Sequence, residues 1–311
     1  MKFLAFITSG LFILLLAWWL WTPDKDRASL ERNYLRAPDD MVEVAGIRLH
    51  IRDSGSRGNA PPVIFLHGFG ASLHTWEPWA TTLSRDMRVI RFDLPGSGLS
   101  SPDPTGNYSD ARTLEVLLAL MSRLGVARAS LAGNSIGGRI AWMFAAQHPE
   151  RIEKLVLISP DGFASPGFEY GRKSPVPATV KLMRYALPKP LLRMSLVPAY
   201  ANPAVLTDEL TARYHDLMLG PGSRDAMIAR MEQTVLVDPV PLLKNITAPT
   251  LLLWGEKDAL IPFSNAADYM KVIPHATLVP VPGMGHLPHE EAPGQTISPV
   301  RAFLLEGRSV Y

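Results

Sequence analysis

Residues 131–138 read Leu131-Ala132-Gly133-Asn134-Ser135-Ile136-Gly137-Gly138, a G-x-S-x-G pattern where a short apolar run gives way to a helical one. Arg128 to Ala132 is predicted as a buried strand, and Ile136 to Gln147 as a helix with Ile140, Phe144 and Ala145 on one face. A strand that turns straight into a helix at a serine needs a strained backbone and small neighbours, which Gly133 and Gly137 supply. Such a turn lifts the hydroxyl to the top of a sheet, at a helix N-terminus whose free N–H groups favour developing negative charge. The pentapeptide reads either as a nucleophile elbow or as a glycine-rich turn that happens to hold a serine, and only its context separates the two.

The chain has 311 residues, 47% of them hydrophobic, which suits one large α/β domain with an insertion or two small domains. A net charge of +2, without a Lys/Arg run or an aromatic ladder, argues against nucleic acid as a partner. There is no cysteine, so disulfides and thiolate metal sites are excluded and the redox compartment stays open.

Phe3 to Trp21 carries no charge, and at about 1.5 Å per residue a helix of that length roughly matches the hydrocarbon core of a bilayer. Trp18, Trp19 and Trp21 gather where indoles favour the interface, and Pro23 stops the helix. The segment 1–23 is therefore expected to be a membrane anchor. The rival is a cleaved signal peptide behind Lys2, but the apolar run is long and bulky Trp residues stand where small residues would be cleaved. Ala5, Ser9 and Gly10 could let two such helices pack into a homodimer. Lys25, Arg27, Arg32 and Arg36 after the run favour a cytoplasmic globular part, whereas a short start with one Lys is how export-type signal anchors begin. Export is the reading adopted, with the anchor in a bacterial inner membrane and the globular part periplasmic. Residues 24–40 read as a connector in which Leu30, Tyr34 and Leu35 lie against lipid headgroups or against the catalytic domain.

Met41 to Arg52 alternates across Ala45-Gly46, as a β-hairpin does. Pro62 to Leu66 is a continuous apolar run, fit for a central parallel strand, and leads into His67-Gly68-Phe69-Gly70. Met87 to Phe92 is the next strand, ending in a turn-rich loop from Asp93 to Gly98. Asp110 to Leu124 is an amphipathic helix capped by Ser109 or Asp110. Strands follow at Lys154 to Ile158, Thr250 to Trp254 and Thr277 to Val281, with helices near Asn265 to Val272 and Thr296 to Leu305. Strands alternating with helices imply parallel pairing through right-handed crossovers. The core thus runs over 41–160 and 242–311. Between them, 161–241 breaks the rhythm with prolines and with Met183, Met194, Met218, Met227 and Met231. It reads as a helical cap whose methionines fill a small core of their own or line a lid for a hydrocarbon substrate.

A serine hydroxyl needs a base, and the base needs a third group to hold its tautomer. Asp258 follows the strand ending at Trp254-Gly255, and His286 lies in the loop Pro282-Gly283-Met284-Gly285-His286. Ser135, Asp258 and His286 each follow the carboxyl end of a strand, where loops converge. Asp161 is the rival acid, and His289 reads as a surface or helix-start residue. His67 is expected to order its turn by hydrogen bonds, and Asp93 to brace its own loop. The oxyanion donors are expected to be the N–H groups of Ile136 and Phe69, with Gly68 and Gly70 leaving room for the backbone.

With the His67-Gly68-Phe69-Gly70 loop, the Asp93 loop, the Ser135 elbow, the Trp254-Gly255-Glu256-Lys257-Asp258 turn and the Gly285-His286 loop in this order, the chain resembles the α/β-hydrolase family over roughly residues 40 to 306. The resemblance implies an α/β-hydrolase fold, with a mostly parallel sheet flanked by helices. It also implies Ser135 as nucleophile, His286 as base, Asp258 as orienting acid, Phe69 and Ile136 as oxyanion donors, and no metal or cofactor. With the N-terminal apolar segment added, the chain looks most like membrane-anchored bacterial lipases and phospholipases A of the PlaF type. The partners expected are a lipid or acyl-ester substrate and the bilayer. The Gly133-Asn134-Ser135-Ile136-Gly137-Gly138 elbow also resembles that of hydrolases cleaving C–C bonds in ring-fission products, which often have an aromatic residue after the catalytic histidine where this chain has Leu287. A catalytically silent binding protein on the same fold is the reading from another class.

Overall fold

The structure, a computed structural model, describes residues 15, 18–58, 61–164, 169–173 and 175–306. Ala45 and Gly46 both take positive φ, 51° and 80°, and so close the two-residue hairpin between β1 (Met41–Val44) and β2 (Ile47–Ser54). The other strands are β3 (Val63–Leu66), β4 (Val89–Phe92), β5 (Ala129–Asn134), β6 (Ile152–Ile158), β7 (Thr250–Gly255) and β8 (Ala276–Val281). They form one sheet in the order β1-β2-β4-β3-β5-β6-β7-β8, antiparallel as far as β4 and parallel beyond it. β5 begins one residue later than expected and runs to Asn134, while β6 begins two residues earlier, at Ile152. β4 starts at Val89 rather than Met87.

The apolar runs are continuous because both faces are covered. Ile64, Leu66, Leu131, Leu155, Leu157 and Trp254 face one core, while their neighbours Val63, Phe65, Ala132, Val156, Ile158 and Leu253 face the other. The helices are α1 (Arg27–Tyr34), α2 (Glu77–Leu83), α3 (Asp110–Arg123), α4 (Ile136–Gln147), α5 (Ala178–Lys181), α6 (Lys189–Leu196), α7 (Asp208–Met218), α8 (Ser223–Gln233), α9 (Val240–Leu243), α10 (Asn265–Val272), α11 (Pro288–Glu291) and α12 (Pro293–Leu305). The first core takes the inner faces of α3 and α4, and the second takes Trp79 of α2 and Val300 and Leu304 of α12. Ser109 caps α3, its side chain accepting from the Arg112 N–H at 3.3 Å. α12 starts at Pro293, three residues before the expected Thr296, because proline suits the first helical position.

Among the described residues, five helices, α5 to α9, lie in the connection between β6 and β7. Met218 and Met227 pack there with Leu187, Leu192 and Tyr214, as gap-filling methionines do, whereas Met194 is exposed.

Residues 24–40 pack against the globular domain. Leu30 of α1 is buried between Leu99 and Leu217, and Lys25 Nζ and Tyr34 Oη both donate to the Asp216 carboxylate, at 2.6 and 3.0 Å. Asp24 pairs with Arg224 at 2.6 Å, and the Thr22 N–H donates to Tyr185 O at 2.9 Å. Leu30→Ala is expected to destabilise the fold by about 2–5 kcal/mol, the usual cost of a buried Leu→Ala cavity, read as a lower denaturant midpoint at unchanged slope. The anchor segment 1–23, with Ala5, Ser9 and Gly10, lies outside the described residues except for Leu15 and 18–23. Among the described residues no helix is long and apolar enough to cross a membrane.

Candidate active site

The sheet changes direction of growth at β3, whose neighbours β4 and β5 follow it on opposite sides, and loops leaving the carboxyl ends there open a crevice. Ser135 stands in it with φ 55° and ψ −121°, a conformation that strains a residue bearing Cβ. Glycine is required around it. A Cβ on Gly133 would lie 2.2 Å from Gly137 O, and one on Gly137 would lie 2.3 Å from Leu66 O. A Cβ on Gly68 would lie 2.9 Å from Asn134 Oδ1 and 3.4 Å from Ser135 Cβ, so the loop carrying Phe69 sits directly against the elbow.

His67 orders that loop as expected. The Leu94 N–H donates to its Nε2 at 3.0 Å, which leaves the proton on Nδ1 to donate to Gly68 O at 2.8 Å. Burial pushes the His67 pKa down, in keeping with a neutral ring. Asp93 braces the next loop, accepting from the Leu73 N–H at 2.6 Å, the Leu99 N–H at 2.8 Å and His50 Nδ1 at 2.8 Å. Burial alone would raise the Asp93 pKa, but His50, which also hydrogen-bonds the carboxylate, together with His67 and His74 outweighs burial and holds it at about 2, below the ordinary 3.8. A depressed carboxyl pKa contributes stability that is complete above pH 4 and fades as pH falls towards 2, here on the order of 2 kcal/mol. Asp93→Asn is expected to lower the unfolding midpoint at pH 7 and to flatten its dependence on pH between 4 and 2.

Asp258 and His286 meet. His286 Nδ1 lies 2.8 Å from Asp258 Oδ2, both side chains being buried. The other carboxylate oxygen of Asp258 accepts from the Leu260 and Ile261 N–H groups, each at 2.9 Å, which fixes the carboxylate plane. A Cβ on Gly255 would lie 2.0 Å from Gly285 O, so the end of β7 presses directly on the histidine loop. The Asn134 amide ties this pair to the elbow, donating to Ile158 O and to His286 O, each at 3.1 Å. Glu291 holds the loop from below, accepting from the Gly285 N–H at 2.8 Å and the Asn202 N–H at 2.6 Å. The sequence pattern assigns neither Asn134 nor Glu291 a role. An acid five residues after a catalytic-type histidine was the signal available for the latter.

Asp161 is drawn away from the histidine. Its carboxylate pairs with Arg139 at 3.1 Å, and its N–H donates to Ser135 O. His289 does begin a helix, α11, but it is buried rather than on the surface, because its ring stacks on Trp76 at 4.2 Å and Nε2 meets Thr75 Oγ1 at 3.0 Å. Burial, with His286 nearby, pushes the His289 pKa down to about 3.

Phe69 and Ile136 line a cavity of about 370 Å³ whose wall is mostly apolar, with Ile140, Phe163, Met231 and Leu260 among its residues. Arg139 and Arg230 are the cations on that wall. Arg139 is paired with Asp110 and Asp161. Arg230 Nη1 donates to Thr113 Oγ1 at 3.1 Å, whereas Nη2, also buried, has no acceptor among the described residues. Burial pushes the Arg230 pKa down to about 10, which leaves the guanidinium charged at neutral pH. No group of His, Asp and Glu side chains that could hold a metal ion occurs among the described residues.

A 2-hydroxy-6-oxo-6-phenylhexa-2,4-dienoate hydrolase from Burkholderia cepacia is 30% identical over 254 residues, covering 78% of this chain and 86% of its own. A bacterial membrane phospholipase A is 27% identical, with a TM-score of 0.71 and 97% of each chain covered. The enol-lactonase from Burkholderia xenovorans LB400 is 25% identical, with a TM-score of 0.73, covering 86% of this chain and all of its own. The alpha/beta hydrolase fold family matches residues 61–293 and so takes in the elbow, the Asp258 turn and the His286 loop together. The chain belongs to that family.

Proposed function

We propose that the chain is a membrane-anchored serine carboxylic-ester hydrolase of the lipase or phospholipase A type, acting on acyl esters of glycerolipids. The contact of His286 Nδ1 with Asp258, at 2.8 Å and tied to the Ser135 elbow through Asn134, carries the reading. In this mechanism His286 Nε2 takes the Ser135 Oγ proton as Oγ bonds to the ester carbon. The N–H groups of Ile136 and Phe69 receive the oxyanion. Collapse of the tetrahedral adduct expels the alcohol, which takes the proton from His286. Water then repeats the sequence on the acyl-serine and releases the fatty acid.

The apolar cavity supports a hydrocarbon chain as the acyl group. The 97% coverage shared with the membrane phospholipase A, against 86% for the enol-lactonase, supports a likeness that extends beyond the hydrolase core. Phe3 to Trp21 serves as the anchor, with the catalytic part on the periplasmic side, and protease added to intact spheroplasts is expected to cleave that part. C–C bond hydrolysis is the second reading, favoured by the 30% identity to the dienoate hydrolase. Detergent-solubilised protein offered p-nitrophenyl acyl esters, phospholipids and a vinylogous diketone acid separates the two. Ester and phospholipid turnover is expected. Turnover of the diketone acid alone would replace the first reading by the second.

A further inference from the structure

We propose that the outer face of the cap segment 178–196 docks on an anionic lipid surface. The segment is apolar where a protein in water would be polar. Thirteen large apolar side chains are exposed among the described residues; four of these are Leu182, Tyr185, Leu191 and Met194, and four more lie at 15–21. α6 has two faces: Leu192 is buried in the cap, whereas Leu191 and Met194 stand 49% and 69% exposed. Exposed apolar side chains scattered singly need no explanation, but a cluster on one short segment marks an interaction surface.

Charge names the partner. From Gly171 to Thr207 there is no Asp or Glu, while Arg172, Lys173, Lys181, Arg184, Lys189 and Arg193 are all cationic. Neighbouring elements take up part of that charge. Lys181 pairs with Glu232 at 2.6 Å, Arg184 with Asp225 at 2.6 Å, Arg193 with Asp208 at 3.7 Å and Arg172 with Glu169 at 2.6 Å. Lys173 and Lys189 make no ion pair among the described residues. Cations interleaved with bulky apolar groups on a surface helix are the composition that lies in the interface of an anionic bilayer.

Continuity with the N-terminal segment points the same way. The Thr22 N–H donates to Tyr185 O at 2.9 Å, the Leu187 N–H donates to Thr22 Oγ1 at 3.1 Å, and Trp21 stacks on Tyr185 with ring centroids 6.2 Å apart. The uncharged run from Phe3 to Trp21 therefore ends on this very face, and a bilayer that holds the run would meet Tyr185 next. An open groove of about 940 Å³ adjoins the contact, bordered by Trp21, Tyr185, Arg184 and Arg224. Trp and Tyr beside Arg is the pattern of groups that settle at headgroup level.

The inference uses the anchored reading for its geometry, but its readout needs no catalysis. The chain holds no cysteine, so Met194→Cys in the full-length protein takes a single environment-sensitive fluorophore. A second protein labelled at Ser122→Cys, exposed on α3, is the reference. Both go into vesicles of phosphatidylcholine alone or of equal parts phosphatidylcholine and phosphatidylglycerol. The Met194 label is expected to shift to the blue in the phosphatidylglycerol vesicles, with its iodide quenching constant falling about threefold or more, while the Ser122 label does not change. Lys181→Glu with Lys189→Glu is expected to undo the shielding. A Met194 label that stays as open to iodide as the reference in vesicle-bound protein would overturn the inference and leave the anchor standing. Equal shielding in both vesicles, unmoved by the Glu substitutions, would overturn the anionic lipid as partner. Shielding in detergent that grows with protein concentration would give the face to a second copy of the chain and also overturn it. A chain that joins neither vesicle would overturn the inference and the anchored reading together.

Discussion

Ser135→Ala is expected to lower ester hydrolysis on the order of 10⁴-fold or more, with the unfolding midpoint preserved. On the proposed mechanism the loss is large because the acyl-enzyme route would disappear with the hydroxyl, leaving only the effect of binding and of the Ile136 and Phe69 N–H groups on direct attack by water. The fold should tolerate the change because an alanine Cβ occupies the place of the serine Cβ, and the strained backbone, φ 55°, is held by glycine neighbours rather than by the hydroxyl. A fluorophosphonate should label the parent protein and not the variant. An active Ala variant would remove the serine mechanism, and a parent that resists the label would favour a silent binding protein on this fold.

Asp258→Asn is expected to cost about as much, on the order of 10⁴-fold in kcat, with a small effect on stability. The reason is orientation. The Asp258 oxygen that accepts from the Leu260 and Ile261 N–H groups can be replaced by the amide oxygen, so the turn survives. The amide nitrogen would then face His286 Nδ1, where the carboxylate oxygen now lies at 2.8 Å. Two donors cannot share that contact, so the ring would turn its lone pair to Nδ1 and carry its proton on Nε2, the atom that in the proposed mechanism accepts from Ser135. Full activity in Asp258→Asn, measured with a soluble p-nitrophenyl ester, would show that another group orients the base. Asp161 would not be a substitute, because Arg139 already holds its carboxylate.

Much of the fold was legible because its signals are local. Residues buried on both faces of a parallel strand leave an unbroken apolar run, and Ile64 facing one core while Phe65 faces the other is what Pro62 to Leu66 predicts. Helices α4 and α10 fall on their expected residues, since 3.6-residue periodicity and capping act within a few positions. The strand limits were less legible. β5 runs two residues beyond Ala132 because pairing with β6 continues to Asn134, and nothing in the sequence of β5 alone reports what lies beside it.

Taken alone, the sequence determined the strand and helix order, the elbow at Ser135 and the placing of Asp258 and His286 after β7 and β8. Each of these depends on backbone preferences and spacing that individual residues impose on their own neighbourhood. Only the tertiary structure decided that the connector lies against the catalytic domain, that His289 is buried against Trp76, that Arg139 takes Asp161 and that Asn134 joins the elbow to the His286 loop. Those outcomes rest on contacts between residues up to about two hundred positions apart, such as Arg224 with Asp24, and a hydrogen bond across such a separation leaves no periodicity behind. The closing of the crevice by Gly68, Gly137 and Gly255 belongs to both: the missing side chains are written in the sequence, and the backbone atoms a Cβ would strike are brought there by the fold.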